Sequence, residues 1–350
     1  MNENKKKIAV IFGGCSTEYN VSLQSASAII EHIDTNIYDI IQIGITRQGE
    51  WYLYEGTAEN IRDDLWLADV PHISHAIISP DKLLHGMLVF RPGVTQTIRL
   101  DAVFPVLHGK NGEDGTIQGL LELAGLPIVG CRTFSSALGM DKEAAHKAAA
   151  AAGIRVPAGI AFHEMPSGQD LLELIRPLNY PVFVKPVKAG SSFGITRVTS
   201  ENLLYDAVQT AFEHDDKVIV EEAIDGFEVG CAIMGTNELI IGAVDEIELS
   251  SGFFDYTEKY TLQSSRIHMP ARLSNEDTNR IKNTALRIYR ALECSVFARV
   301  DMFFTPDGEI IFNEVNTIPG FTSHSRFPNM LKGIGMSFEE IVNRLIALAL

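Results

Sequence analysis

By sequence this is an α/β protein, an open N-terminal α/β layer followed by two α+β units, and three observations predict it. The apolar run 8–12 ends at Gly13-Gly14 and is followed by a helical pattern over 21–33 and a strand-like run over 40–45, the order of a βαβ unit. Past residue 127 the pattern changes to short strands, glycine-rich turns and an alanine-rich helix. Near the C-terminus two apolar runs flank Thr-Pro-Asp-Gly at 305–308, where a preset φ and a positive-φ position favour a tight hairpin.

The elements follow in order. Run 8–12 is too short for a membrane span or a signal h-region, despite three lysines at 5–7, and reads as a buried strand. Loop 13–19 leads into helix 21–33 and strand 40–45. Another buried strand, 103–107, ends at His108-Gly109 and the polar turn 110–115, and an apolar helix spans 116–124. Ligands of open α/β sheets gather at the carboxyl ends of the strands, where 13–18 and 108–115 both lie. Next come a short strand to Gly130, a helix near 133–138, and a helix over 141–152 ended by Gly153. Strand 182–186, the glycine- and serine-rich loop 188–194, strand 195–198, helix 201–212 and strand 218–222 complete a second unit. The remainder alternates strands with helices 276–292 and 337–349. These changes set domain limits of 1–129, 130–222 and 223–350.

With 350 residues the chain can hold two or three sizeable cores. Its formal charge of −16 argues against a nucleic-acid groove, so a bound polyphosphate needs a local basic pocket and metal. Cysteines 15, 131, 231 and 294 form no Cys-x-x-Cys pair, which suits a reducing cytoplasm better than a disulfide scaffold or structural zinc. No run reaches transmembrane length without charge. A cytoplasmic enzyme without membrane insertion is the expectation.

In the hairpin, pairing Thr305 with Gly308 puts Arg299 opposite Glu314, Asp301 diagonal to it, and Asn316 two residues farther on the same face. Three oxygen-bearing side chains beside an arginine suit one or two Mg2+ ions bridging nucleotide phosphates, because Mg2+ takes hard oxygen ligands and few protein groups. The alternative is an exposed hairpin with a solvated polar face, and a one-residue bulge at the turn would direct Asp301 away. Lys185 lies beside the apolar run 182–184 and needs an anionic partner. Loop 188–194 offers backbone amides to an anion, although it is not a Walker A loop and a ligand-free glycine hairpin is the alternative. Lys142 stands near a helix start, where a lysine is usually solvated. Glu221 and Glu222 end a strand and suit an adenosine or solvent equally. Glu18 follows the Gly-Gly turn at a helix N-terminus, where the dipole favours a carboxylate, and faces the same sheet edge as His108. Gly13-Gly14 lacks the Gly-x-Gly-x-x-Gly pattern, which disfavours NAD.

Seven segments occur together: Gly13-Gly14-Cys-Ser-Thr-Glu18, His108-Gly-Lys-Asn-Gly-Glu-Asp-Gly115, Met140-Asp-Lys142, Lys185-Pro with Gly190-Ser-Ser, Glu258-Lys-Tyr260, Arg299-Val-Asp301 and Asn313-Glu-Val-Asn-Thr-Ile-Pro-Gly320. In this order, over nearly the whole chain, they resemble the D-alanine:D-alanine ligase family of the ATP-grasp fold. The resemblance implies an N-terminal open α/β domain and two α+β domains that clamp ATP. It implies phosphate contacts from Lys142 and Lys185, adenosine contacts from Glu221 and Glu228, and a loop at 190–194 that closes over the γ-phosphate. Ser192, Glu222, Ile224, Lys259 and Asn313 join the nucleotide set. Asp301, Glu314 and Asn316 match the magnesium ligands, for two ions, with Mn2+ as a substitute. Glu18 anchors the ammonium of the first D-alanine, with Ser191 and Tyr260 beside it and His108 lining that subsite. Arg299 and the Gly320 amide form the oxyanion site, and Ser325 belongs to the same catalytic group. A homodimer is also implied.

Two positions depart from the housekeeping pattern. His146 stands where a second lysine follows Met-Asp-Lys, and Arg326 stands where housekeeping ligases carry an apolar residue. An arginine at that place looks like the vancomycin-resistance ligases that join D-alanine to D-serine or D-lactate. Arg326 offers hydrogen bonds to a hydroxyl or carboxylate of the second substrate, with an exposed loop arginine as the alternative. The lid segment 253–260 keeps its tyrosine, unlike the D-lactate ligases, so D-serine is favoured, and Phe254 helps to shape the pocket. The expected activity is ATP-dependent ligation of D-alanine to D-serine through a D-alanyl phosphate, giving a peptidoglycan precursor terminus with lower vancomycin affinity. The rival is a housekeeping D-alanine:D-alanine ligase. A catalytically silent ATP-binding regulator stands farther off, because Lys185, Arg299, Asp301, Glu314 and Asn316 are all present.

Overall fold

The computed structural model describes residues 5–190, 193–249 and 265–350, arranged around three sheets. The first has the order β6-β5-β4-β3-β2-β1-β7, built from β1 (Lys6–Gly13), β2 (Tyr38–Ile45), β3 (Trp51–Tyr54), β4 (Ile73–Ile78), β5 (Gly86–Arg91), β6 (Val94–Arg99) and β7 (Ala102–Pro105). β1 is buried and lies between β2 and β7, parallel to both, while β3 to β6 run as an antiparallel meander. Sequence patterning missed the meander. β3 has four residues and β6 is almost wholly exposed, so neither shows a clear apolar alternation. The strand expected up to Gly130 is only a bridge, Val103 to Ile128.

The second sheet has the order β10-β9-β11-β8, from β8 (Gly159–Phe162), β9 (Val182–Pro186), β10 (Thr196–Val198) and β11 (Val218–Glu222). The third has the order β14-β13-β12-β15-β16, from β12 (Phe227–Met234), β13 (Ile240–Leu249), β14 (Ser265–His268), β15 (Phe297–Phe304) and β16 (Ile310–Asn316). Helix Asn275–Ala291 buries Ile281, Ala285 and Ile288, a spacing that keeps one apolar stripe on that sheet. Ser274 caps it by accepting from Asp277 N–H. Phe104 on β7 meets Phe297 on β15 at 6.0 Å between ring centroids, and Phe321 meets Phe327 at 5.3 Å. This aromatic cluster joins the first sheet to the third and fixes the segment between them.

The hairpin departs from the expected register twice. Its turn closes between Thr305 N and Glu309 O, 3.0 Å, and Phe304 pairs with Ile310, one residue beyond a Thr305 to Gly308 closure. That shift alone would set Asp301 across from Asn313. A bulge then skips Asn313, so Asp301 pairs with Glu314 and Arg299 with Asn316. The two offsets restore parity, and the four polar residues share one face with Asp301, rather than Arg299, opposite Glu314.

Candidate active site

Two clefts meet above this hairpin. One, of about 460 Å³, is lined by Glu18, His108, Arg299, Asn316, Gly320, Ser325 and Arg326. The other, of about 690 Å³, is lined by Lys185, Glu221, Glu222, Ile224, Glu228 and Asn313. Lys142 and Glu314 line both. A group transferred from one cleft to the other would therefore pass a lysine and a carboxylate.

Asp301 is buried and collects cationic and amide donors. Arg299 donates from Nε to both carboxylate oxygens at 2.9 and 3.0 Å and from Nη2 at 2.7 Å, and Asn316 Nδ2 donates at 3.0 Å. Asn316 thus presents its amide nitrogen to Asp301, which leaves the amide oxygen for another partner. Among the described residues no group of three or more His, Cys, Asp or Glu side chains is arranged to hold a metal ion by itself. The two carboxylates and one amide nevertheless form a hard oxygen donor set that suits Mg2+, which retains waters and substrate oxygens as its remaining ligands.

Arg326 begins helix Arg326–Lys332 and is buried. Its Nε and Nη2 form a two-pronged pair with Asp245 at 2.7 and 2.8 Å, and Nη1 donates to Glu228 at 2.8 Å and lies 3.2 Å from Asp301. These carboxylates hold its charge firmly, well above the ordinary arginine pKa despite the opposing effect of burial. Arg326 is therefore a fixed wall of the first cleft. Gly230 on β12 makes room for it, since a Cβ there would overlap the Arg326 guanidinium and lie 2.7 Å from Asp245 Oδ1.

In the second cleft Lys185 finds its anion in Glu221, at 2.6 Å. Burial pushes the Glu221 pKa up, but Lys185 and His146 together hold it well below the usual carboxylate range. His146 lies 3.3 Å from the other Glu221 oxygen and 2.8 Å from Asn313 O. The residue that departs from the family's second lysine thus braces Glu221 from the helix side. Glu222 receives Ala158 N–H at 2.9 Å, and Lys142 donates to Ala189 O at 2.9 Å.

Glu18 sits at the N-terminal boundary of helix Tyr19–His32, buried, and makes no side-chain cap bond. Two glycines make space for its carboxylate: a Cβ on Gly109 or Gly190 would lie 2.6 or 2.9 Å from Oε2. Next to it Glu113 accepts Gly109 N–H at 2.8 Å and Ile318 N–H at 3.3 Å. Burial and the neighbouring Glu18 charge push the Glu113 pKa up to about 8. Ser325 Oγ accepts Thr322 N–H at 2.9 Å and packs close to Gly320.

The sequence-predicted residues Ser191, Ser192, Phe254, Lys259 and Tyr260 lie outside the described residues. Sequence reasoning missed Glu113 and Asp245. Glu113 lies within the segment His108–Gly115, where a carboxylate five residues after His108 was the available signal. Asp245 had none, because its partner is 81 residues away.

Residues 7–131 match the family model described as D-ala D-ala ligase N-terminus, and 149–347 match D-ala D-ala ligase C-terminus. The solved structure of the VanG D-Ala:D-Ser ligase from Enterococcus faecalis is 59% identical, with TM-score 0.93, covering 99% of this chain and 100% of that one. The vancomycin B-type resistance protein VanB of Enterococcus faecalis is 46% identical, covering 99% of each chain. A D-alanine--D-alanine ligase of Caldicellulosiruptor bescii is 42% identical, covering 99% of this chain and 95% of its own.

Proposed function

Because the chain belongs to the D-alanine:D-alanine ligase family of ATP-dependent ligases, we propose that it joins D-alanine to D-serine. The observation that carries this reading is its 59% identity, end to end, to a D-Ala:D-Ser ligase. Arg326, held by Asp245 in the wall of the first cleft, supports it by offering a polar edge where a leucine would offer a methyl group.

In this reading ATP occupies the cleft of Lys185 and Glu228, and the amino acids occupy the cleft of Glu18 and Arg326. Glu18 pairs with the ammonium of the first D-alanine. The carboxylate of that D-alanine attacks the γ-phosphate at the neck between the clefts, where Lys142 offsets negative charge, and gives D-alanyl phosphate and ADP. Asp301, Glu314 and Asn316 would hold Mg2+, which when bound would supply further charge neutralisation on the phosphates. The amine of D-serine, having lost a proton, attacks the acyl carbonyl. Arg299 and the Gly320 amide stabilise the tetrahedral oxyanion, an effect of about 3 kcal/mol per well-placed donor, before phosphate leaves. The dipeptide D-alanyl-D-serine results, and we assign it to the terminus of a cell-wall precursor with lowered vancomycin affinity, in keeping with the resistance proteins among the relatives.

The test is phosphate release with D-alanine plus D-serine against D-alanine alone, across pH. Equal or better use of D-alanine as second substrate at neutral pH would overturn the D-serine reading and leave a D-alanine:D-alanine ligase. Arg326→Leu is expected to shift the ratio toward D-alanine.

A further inference from the structure

Residues 318–321 follow β16 and carry the Gly320 amide, yet side chains from the first sheet's layer hold their backbone. His108 Nδ1 lies 2.8 Å from Ile318 O. A carbonyl only accepts, so Nδ1 carries the proton. Burial lowers the His108 pKa, outweighing the nearby Glu18 charge, so the ring is neutral and Nε2 is an acceptor. Ser25 Oγ is 3.2 Å from Nε2 and therefore donates to it. The same oxygen accepts Phe321 N–H at 3.1 Å. The circuit runs from Phe321 N–H to Ser25, to His108, and on to Ile318 C=O, with every donor direction determined.

This circuit closes on the two ends of a four-residue segment. Between them lie Pro319, which has no N–H, and Gly320, whose backbone has the widest conformational freedom. Glu113 adds a third hold by accepting Ile318 N–H. Ser25 is wholly buried on helix Tyr19–His32, so its hydroxyl cannot exchange these partners for bulk water.

We propose that Ser25 is a positioning residue for ligation: by fixing Phe321 N–H and, through His108, Ile318 C=O, it keeps the Gly320 amide aimed at the acyl carbonyl. This rests on the oxyanion role given above to Arg299 and Gly320. Displacing a reacting or stabilising group by about 1 Å costs on the order of 100-fold in rate.

Ser25→Ala, Ser25→Thr, Ser27→Ala and Arg299→Lys are to be compared for kcat, KM and affinity for a dipeptide phosphinate, whose tetrahedral phosphorus mimics the ligation intermediate. Ser27 is the control, a wholly buried serine on the same helix that donates to Ala58 O at 2.9 Å. Ser25→Ala is expected to lower kcat and phosphinate affinity by roughly 10- to 100-fold while KM for ATP and D-alanine stays within about twofold. Ser25→Thr, which keeps the hydroxyl, is expected to recover most of the loss, and Ser27→Ala to show none. If Ser25→Ala keeps phosphinate affinity while Arg299→Lys loses it, the positioning role is overturned and the oxyanion site stands. If Arg299→Lys also keeps it, the oxyanion reading itself is overturned. An equal loss in Ser27→Ala would reassign the effect to helix packing and equally remove the proposal.

Discussion

Asp301 shows how much a single carboxylate holds in this site. Arg299, Asn316 and Arg326 all converge on it, and it is buried. Asp301→Ala leaves the buried Arg326 and partly buried Arg299 guanidinium groups short of an anion, so we expect unfolding in urea to show a loss of about 3 kcal/mol together with loss of ADP formation. Unchanged ADP formation in a folded Asp301→Ala protein would remove the metal assignment. The chemical types at this site were legible in the sequence, because hard oxygen donors and a lysine inside an apolar strand have few other uses. Their partners were not. Lys185 meets Glu221 36 residues away and Arg326 meets Asp245 81 away, and no local pattern encodes either pairing.

At the scale of the strand, an absent side chain carries the argument. β12 runs between β13 and β15, and Gly230 lies where the Arg326 and Asp245 pair crosses it. Gly230→Ala forces that pair aside, with an expected stability loss of about 1–3 kcal/mol from overpacking. The same variant should move the second-substrate ratio in the direction of Arg326→Leu, read by phosphate release with each substrate; a destabilised enzyme with an unaltered ratio would separate Arg326 from specificity. The hairpin teaches the complementary lesson. Composition located its turn, but the closure at Glu309 and the bulge at Asn313 depend on pairing geometry that composition does not carry, and the shared face survived because the offsets number two.

Over the whole molecule, the interface between the first sheet's layer and the segment after β16 gathers acidic groups, and this makes stability depend on pH. An unfolded glutamate titrates near 4.5, and Glu113 in the fold near 8. Between those values the folded chain keeps a proton that the unfolded chain has lost, so this contribution is complete below 4.5 and disappears as pH rises toward 8. The melting temperature of the ligand-free protein should fall across that window, and Glu113→Gln should flatten the fall; an identical slope in both proteins would refute the assignment. The three-sheet plan was legible through buried strands such as β1, β9 and β11, whose apolar runs stand out between polar turns. The meander and the aromatic junction of Phe104, Phe297 and Phe321 were not, since exposed strands and contacts between distant segments leave no periodic trace.

The bond from Arg326 to Glu228 has one more consequence. Glu228 lines the second cleft and Arg326 the first, so under the proposed assignment of ATP and amino acids one guanidinium touches both binding sites. If a nucleotide that contacts Glu228 changes this bond, the second substrate's affinity changes with it, and reciprocity then requires the second substrate to alter nucleotide affinity by the same factor. Under that assignment substrate choice becomes a property of two linked ligands, and the second-substrate preference is expected to differ between ATP and a nucleotide analogue.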